Sequence, residues 1–210
     1  MPRMYIYKMI VDIGAAPCVW DGMLSLAICK PKIRAKARKN DIILGFAANS
    51  LSRSNRLIYV AKVTKPVTGR KYFSKRRYRD RPDCIYEFRQ GRFHWKTSAR
   101  FHSPQDMKRD LGEAPAYKSA RVLLSKGENN FRYFERSCPI DYKTEYRRIQ
   151  KLVETLARGH RVKHGSHLRA ELEDLVQRLW KTSPAKAGPS VSNKRSRSTR
   201  DDDDCVVVKC

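Results

Sequence analysis

Hydrophobic periodicity is what most limits the folds open to this chain. Short β-type runs closed off by turn formers carry the sequence as far as Phe134, and a helical stripe follows in the last third. The first run, residues 4–11, is rich in β-branched and aromatic side chains and ends in the turn-prone stretch 12–17. Residues 23–29 are apolar, and Lys30-Pro31 then opens a short basic helix over 31–38, because a proline in the first helical turn forfeits no hydrogen bond. Residues 42–48 read as a buried strand that admits Gly45 only at a bend or a close backbone approach. Residues 56–63 follow as a strand with Leu57, Tyr59 and Ala61 on one side.

Further on, residues 84–97 read as a hairpin turning at Gln90-Gly91. Ser103-Pro104 starts a helix that Gly112 can stop. Residues 120–125 and 131–134 read as a second hairpin. Residues 142–156 and 166–180 are helical, and in the latter Leu168, Leu172, Leu175, Val176 and Leu179 share one face, the pattern of a helix packed on a core. Strands followed by helices, rather than alternating with them, predict an α+β domain over residues 1–182. From residue 183 to 210 the composition shifts to Ser, Pro, Gly and charge, ending in a basic patch, four aspartates and Cys205 to Cys210; this is expected to be a disordered tail.

Charge narrows the function. Lys and Arg number 46 against 21 Asp and Glu, a formal net charge of +25. A surface of that sign attracts polyanions, and each phosphate neutralised on a nucleic acid releases counterions and so adds affinity without sequence readout. No apolar run approaches the ~20 residues of a spanning helix, and residues 1–11 alternate like a strand rather than like a secretory leader. A cytoplasmic protein with no membrane partner is the expectation. The cysteines show no paired zinc spacing, so reduced thiols are expected, with Cys29 and Cys84 read as small buried hydrophobes. Phosphate-loop and dinucleotide fingerprints are absent, and no cofactor is expected.

A pocket for an extruded base needs an aromatic face, a polar edge and nearby cations. Trp20, Phe46, Tyr59 and Trp95 are the stacking candidates, Asn49 and Ser50 the edge readers, and Lys30, Arg34 and Arg56 the phosphate or rim cations. For Phe46, Tyr59 and Trp95 taken singly, an ordinary core aromatic is the favoured reading. The run 69–81 interleaves basic residues with Tyr72, Phe73 and Tyr78, which suits either phosphate contact with stacking or a solvated loop. Arg158-Gly159-His160-Arg161, with His164 and His167 nearby, reads as a cation-rich phosphate-binding turn centred on His160 and Arg161 rather than a metal site, since the glycines favour a loop and no ligand set is completed. Asp12, Asp21, Asp41, Asp83 and Asp106 are the candidate carboxylates, and none is spaced as a known acid–base pair.

Several short motifs occur in order: Gly14 with Ala16-Pro17, then Leu26 to Pro31 with Ile33-Arg34, then Asp41 to Gly45. Arg56 to Tyr59 with Val63-Thr64, Arg121 to Ser125, Phe131 to Phe134 and Arg158 to Arg161 follow. Over residues 4–181 this string resembles the nucleotide-modification-associated domain 2 family. The departures are Asn40 where the family has Gly before Asp41, and Glu135 where a Gly follows Tyr-Phe. The resemblance implies a setting of DNA base hypermodification, with nucleic acid, DNA more than RNA, and a DNA-modification enzyme as the partners. By analogy of pattern, the strand that opens at Asp41, the polar loop after it and the returning Leu57-Ile58-Tyr59 strand look similar to the small mixed β barrels of the PUA, EVE and ASCH type, here with flanking helices and a helical C-terminal third. Three functions stay open: a module that binds a modified or flipped base, an enzyme of base hypermodification using Asp12, Asp41, His102 or His160 as acid or base, and a scaffold docking through the Leu168–Leu179 stripe and the tail.

Overall fold

The computed structural model of the chain describes residues 1–134 and 138–182. The tail of 183–210 and the Glu135 position lie outside the described residues. Eleven strands and six α-helices are formed among them, an α+β architecture.

The larger sheet holds β1 (Met4–Met9), β4 (Ile42–Ala47), β5 (Leu57–Lys62), β10 (Phe131–Tyr133) and β11 (His160–Arg161), in the order β10-β5-β4-β1-β11. β1 runs parallel to β4 and the other pairs are antiparallel. A smaller sheet orders β2 (Cys18–Trp20), β3 (Met23–Leu26), β9 (Arg121–Lys126) and β6 (Lys65–Thr68) as β2-β3-β9-β6. β7 (Tyr86–Arg89) and β8 (Arg92–Trp95) form the separate hairpin expected from Gln90-Gly91. Along the chain the strands therefore visit the large sheet, the small one, the large, the small and the large again.

Side-chain alternation explains the layering. Met4 and Ile6 of β1 face one way and pack, with Leu44, Phe46 and Val60, against the helices α4 (Tyr142–Glu145), α5 (Arg147–Thr155) and α6 (Ser166–Lys181). Tyr5 and Tyr7 face the other way and pack, with Ile43, Tyr59 and Ala61, on Leu24, Leu26 and Leu123 of the small sheet. A sheet covered on both faces needs unbroken apolar runs, which is why Ile42–Ala47 is buried throughout. A third apolar cluster joins the small sheet's Val122 and Leu124 to the β7–β8 hairpin and α2 (Gly69–Ser74). α1 (Pro31–Lys36) and α3 (Met107–Leu111) flank the small sheet.

Three expectations change, and one alternative, docking through the last helix, closes. No closed barrel forms among the described residues: the large sheet lies as a layer between helices and the small sheet, so its edges, β10 and β11, stay apart. Residues 120–134 are not a hairpin. β9 is buried between β3 and β6, and a 3₁₀ turn at Glu128–Asn130, entered through Gly127 at φ 82°, carries the chain away to pair β10 with β5. The run 69–81 is not a loop of solvent-facing aromatics. The Thr68 hydroxyl caps α2 by accepting from Lys71 N–H, and Tyr72, Phe73 and Tyr78 turn inward. The Leu172–Leu179 stripe is enclosed in the core, so it is no docking face. No helix among the described residues is long and apolar enough to cross a membrane.

Candidate nucleotide pocket and buried polar clusters

Trp20 stands at the tip of a tight turn. It pairs with Met23 across β2 and β3, and the two residues between, Asp21 at φ 48° and Gly22 at φ 62°, both take the left-handed conformation of a type I′ hairpin. The indole is thereby held out from the sheet and is 43% exposed. Beside it lies a cavity of about 410 Å³ whose walls include Arg79, Asp80, Arg81, Lys96 and Arg100. Four cations thus face one carboxylate among the charged lining residues, next to an exposed ring. A larger hollow of about 560 Å³, around Arg3, Lys39 and Asp41, has no aromatic wall and is partly closed by the Arg3–Asp41 ion pair at 2.7 Å, so it is the weaker candidate for a base.

Arg81 ties the cavity to the fold. Its guanidinium donates to the carbonyls of Trp20 (2.9 Å), Cys18 (3.1 Å) and Met23 (3.3 Å), to Ser25 Oγ (2.6 Å) and to the Tyr72 hydroxyl (2.9 Å). Asp83, also buried, accepts from Ser25 Oγ at 2.5 Å and Tyr72 O–H at 2.7 Å, and lies 3.5 Å from Arg81 Nε. Burial is the largest single influence on Arg81 and works against its charge, but Asp83, Tyr72 and Cys18 together outweigh it and raise the guanidinium above its ordinary range. At the cavity's other side Lys96 Nζ reaches Cys84 Sγ at 3.5 Å, and burial still pushes that thiol up.

The other sequence candidates scatter. Arg34 is wholly enclosed: its donors go to the carbonyls of Cys29, Ser119, Arg121 and Asp110, at 2.6 to 2.9 Å, which removes it from any phosphate. Phe46 packs edge-on against Tyr142, and Tyr59 is buried with its hydroxyl 2.9 Å from that of Tyr7. Lys30 lies over the Tyr7 ring, 4.7 Å from its centroid. Asn49 and Ser50 are exposed at a turn, where Asn49 accepts from Asn55 Nδ2 at 2.6 Å, and neither lines the Trp20 cavity. Arg56 donates to the Phe134 carbonyl and sits 3.7 Å from Asp12, whose carboxylate accepts from Tyr133 O–H at 2.5 Å; burial raises Asp12 above the usual carboxylate range. Trp95 is half-buried, and its Nε1 has no partner among the described residues. His160 and Arg161 form β11 instead of a loop, with His160 against Tyr5. Asp41 is a turn former, accepting from the N–H groups of Arg3 and Arg38.

One constellation was missed in the sequence because its members are far apart in it. Cys29 Sγ lies 3.3 Å from His102 Nε2, and His102 Nδ1 lies 2.6 Å from Asp110 Oδ2. Asp110 also accepts from Tyr86 O–H at 2.8 Å and, on Oδ1, from Cys29 N–H at 3.0 Å. Burial alone would raise the Asp110 carboxyl, but the bond from His102, the electrostatic attraction to that ring, Arg34 and Tyr86 hold it below the usual range. Cys29 closes the segment between β3 and α1 with φ 54°, Lys30 follows at 44°, and His102 has φ 56°. Sequence reasoning treated Cys29 as a small hydrophobe and His102 as an isolated acid–base candidate. No cluster of His, Cys, Asp and Glu able to hold a metal exists among the described residues.

A family model described as nucleotide modification associated domain 2 matches residues 1–194 of the chain. No curated protein and no solved structure matches it.

Proposed function

Because the chain belongs to the nucleotide modification associated domain 2 family, we propose that it is a nucleic-acid-associated domain that receives a nucleotide of DNA, in preference to RNA, in the cavity beside Trp20. One observation carries the reading: an exposed indole at the rim of a hollow lined by Arg79, Arg81, Lys96 and Arg100. A base stacks on the ring while Arg79, Lys96 and Arg100 take its phosphates and Arg81, committed to Asp83 and the β2–β3 carbonyls, holds the cavity wall, a division of labour that tolerates many sequences. In this reading residues 1–182 act as one unit, a modification enzyme is the natural protein partner, and the basic patch near residue 195 extends the phosphate contacts.

Salt-dependent oligonucleotide binding is the test. Affinity for short single strands and duplexes, with and without modified bases, is expected to fall steeply as salt rises, with a smaller base-dependent part that salt leaves alone. Absence of binding at moderate salt across the whole set rejects the proposal.

A further inference from the structure

We propose that Cys29, His102 and Asp110 form a nucleophilic thiol centre that takes an acyl group from an ester or amide and carries it as a thioester. This goes beyond nucleotide recognition and does not depend on it.

The geometry is that of a nucleophile, a base and a group that orients the base. Asp110, held ionised, can only accept, so His102 Nδ1 carries the proton in that 2.6 Å bond and Nε2 presents its lone pair to Cys29 Sγ. The carboxylate is itself fixed on both oxygens, by Tyr86 O–H and by the nucleophile's own N–H. Arg34 then joins the two halves from behind, donating at 2.6 Å to the carbonyl of Cys29 and at 2.6 Å to that of Asp110. Tyr86 and Arg34 are positioning residues.

Backbone conformation is the second, independent observation. Cys29, Lys30 and His102 all hold positive φ, a conformation that costs a non-glycine residue free energy and persists where the surroundings over-determine it. A cysteine that merely filled space would be placed as well by an ordinary extended residue. Here the strand-to-helix turn instead aims Sγ at the imidazole, as in the turns that present nucleophiles in hydrolases. The other described thiols differ in their neighbours: Cys84 Sγ meets Lys96, and no histidine is among the groups that act on Cys18, Cys84 or Cys138.

The chemistry balances without an oxidant. As Sγ attacks the carbonyl carbon of R–CO–X, His102 Nε2 takes the thiol proton, and the carbonyl electron pair moves to oxygen. When that pair returns, the C–X bond breaks and X leaves with the proton from Nε2, giving Cys29–S–CO–R. Water or an amine then attacks the thioester, surrenders a proton to Nε2, and the proton returns to sulfur. A histidine able to protonate a departing oxygen or nitrogen is what an ester or amide requires, and a simple alkylation would not need it.

Cys29, His102 and Asp110 are buried and are not among the walls of the Trp20 cavity; the link between the two is the chain itself, since Ala99 and Arg100 line the cavity and His102 lies two residues on.

The test uses the full chain and p-nitrophenyl acetate. A burst of nitrophenolate near one equivalent is expected, with the acetyl group mapped by peptide mass spectrometry to Cys29 in preference to every other cysteine. His102→Gln should slow the burst about a hundredfold, and Cys29→Ser should remove the thioester. Absence of acetyl from Cys29 in the folded wild type, or its even spread over the thiols, overturns the proposal. So does an unchanged burst in His102→Gln with native circular dichroism. If that variant does not fold, the wild-type map decides alone. Acetylation of Cys29 in a chain that binds no oligonucleotide would reject the pocket reading and leave this one standing.

Discussion

Gly45 and Tyr59 are partners across β4 and β5, and the Tyr59 ring fills the space a side chain at 45 would need. A Cβ placed on Gly45 would lie 2.3 Å from Tyr59 Cε1 and 2.9 Å from Met9 Sδ. The ring cannot simply swing away, because its buried hydroxyl is bonded to Tyr7. Gly45→Ala is therefore expected to destabilise the fold by about 1–3 kcal/mol, read as a lower urea midpoint at constant m-value; an unchanged midpoint would mean that the ring has room to shift.

Removal of Asp83 should be costlier. Its carboxylate neutralises Arg81, which is 3% exposed at the side chain. Asp83→Ala leaves that guanidinium charged in the interior, at a cost of about 3–5 kcal/mol. Arg81→Met combined with Asp83→Leu should recover much of the loss, and equilibrium unfolding of the wild type and the two variants measures it. No recovery in the double variant would show that the bonds from Arg81 to the β2–β3 carbonyls matter more than its charge.

Trp20→Ala separates recognition from stability. The ring is exposed, so the melting midpoint should stay within error, while affinity for a short single strand falls by about 1–3 kcal/mol with its salt slope unchanged. Arg79→Gln and Lys96→Gln should do the reverse, flattening the slope because fewer counterions are released. Equal effects of all three on the slope would deny the indole a stacking role.

Acid should weaken the fold through two histidines. Burial, then Lys36, Lys32 and Lys30, depress His160; burial chiefly depresses His164, whose Nε2 donates to the Met4 carbonyl while Nδ1 has no partner among the described residues. With folded pKa values below the ordinary 6.5, the unfolded chain binds protons first. Stability is thus full above about pH 6.5 and declines as pH falls through the folded values. Thermal melts from pH 7.5 to 5 should show that decline, and it should shrink in His160→Gln/His164→Gln; an identical slope in that variant would place the sensitivity elsewhere.

Local signals in the chain were faithful where one segment decides its own shape. The proline at the start of α1, the Gln90-Gly91 turn and the Leu172–Leu179 stripe all led to the elements observed. What they could not convey is partnership. Residues 121–126 and 131–133 look like two arms of a hairpin, yet β9 pairs with β3 and β6 while β10 pairs with β5, and such competition between distant strands leaves no local mark. The barrel expectation rested on the strand that opens at Asp41 and the one that returns through Leu57-Ile58-Tyr59; those two do pair, but closure would need β10 to meet β11, and no local pattern conveys whether it does.

The candidate sites were legible to different degrees. Trp20 was one of four aromatics named for stacking, and the Asp21-Gly22 turn after it is what exposes it. Arg34 looked like a surface cation because arginines usually are; only the folded backbone brings four carbonyls around it. Cys29, His102 and Asp110 fall on three unconnected stretches, and no spacing rule links a cysteine to a histidine 73 residues later. Left-handed φ at Cys29 and His102 was equally hidden, since neither residue type announces it.

The order in which the chain visits its two sheets has a practical side. Sever it anywhere between β1 and β10, and each fragment inherits strands that lack their neighbours, since neither sheet is drawn from a contiguous stretch. Such fragments would have to find each other before either could bury its apolar faces, so a split version of this protein would behave as an obligate pair, reassembling only when both pieces are present.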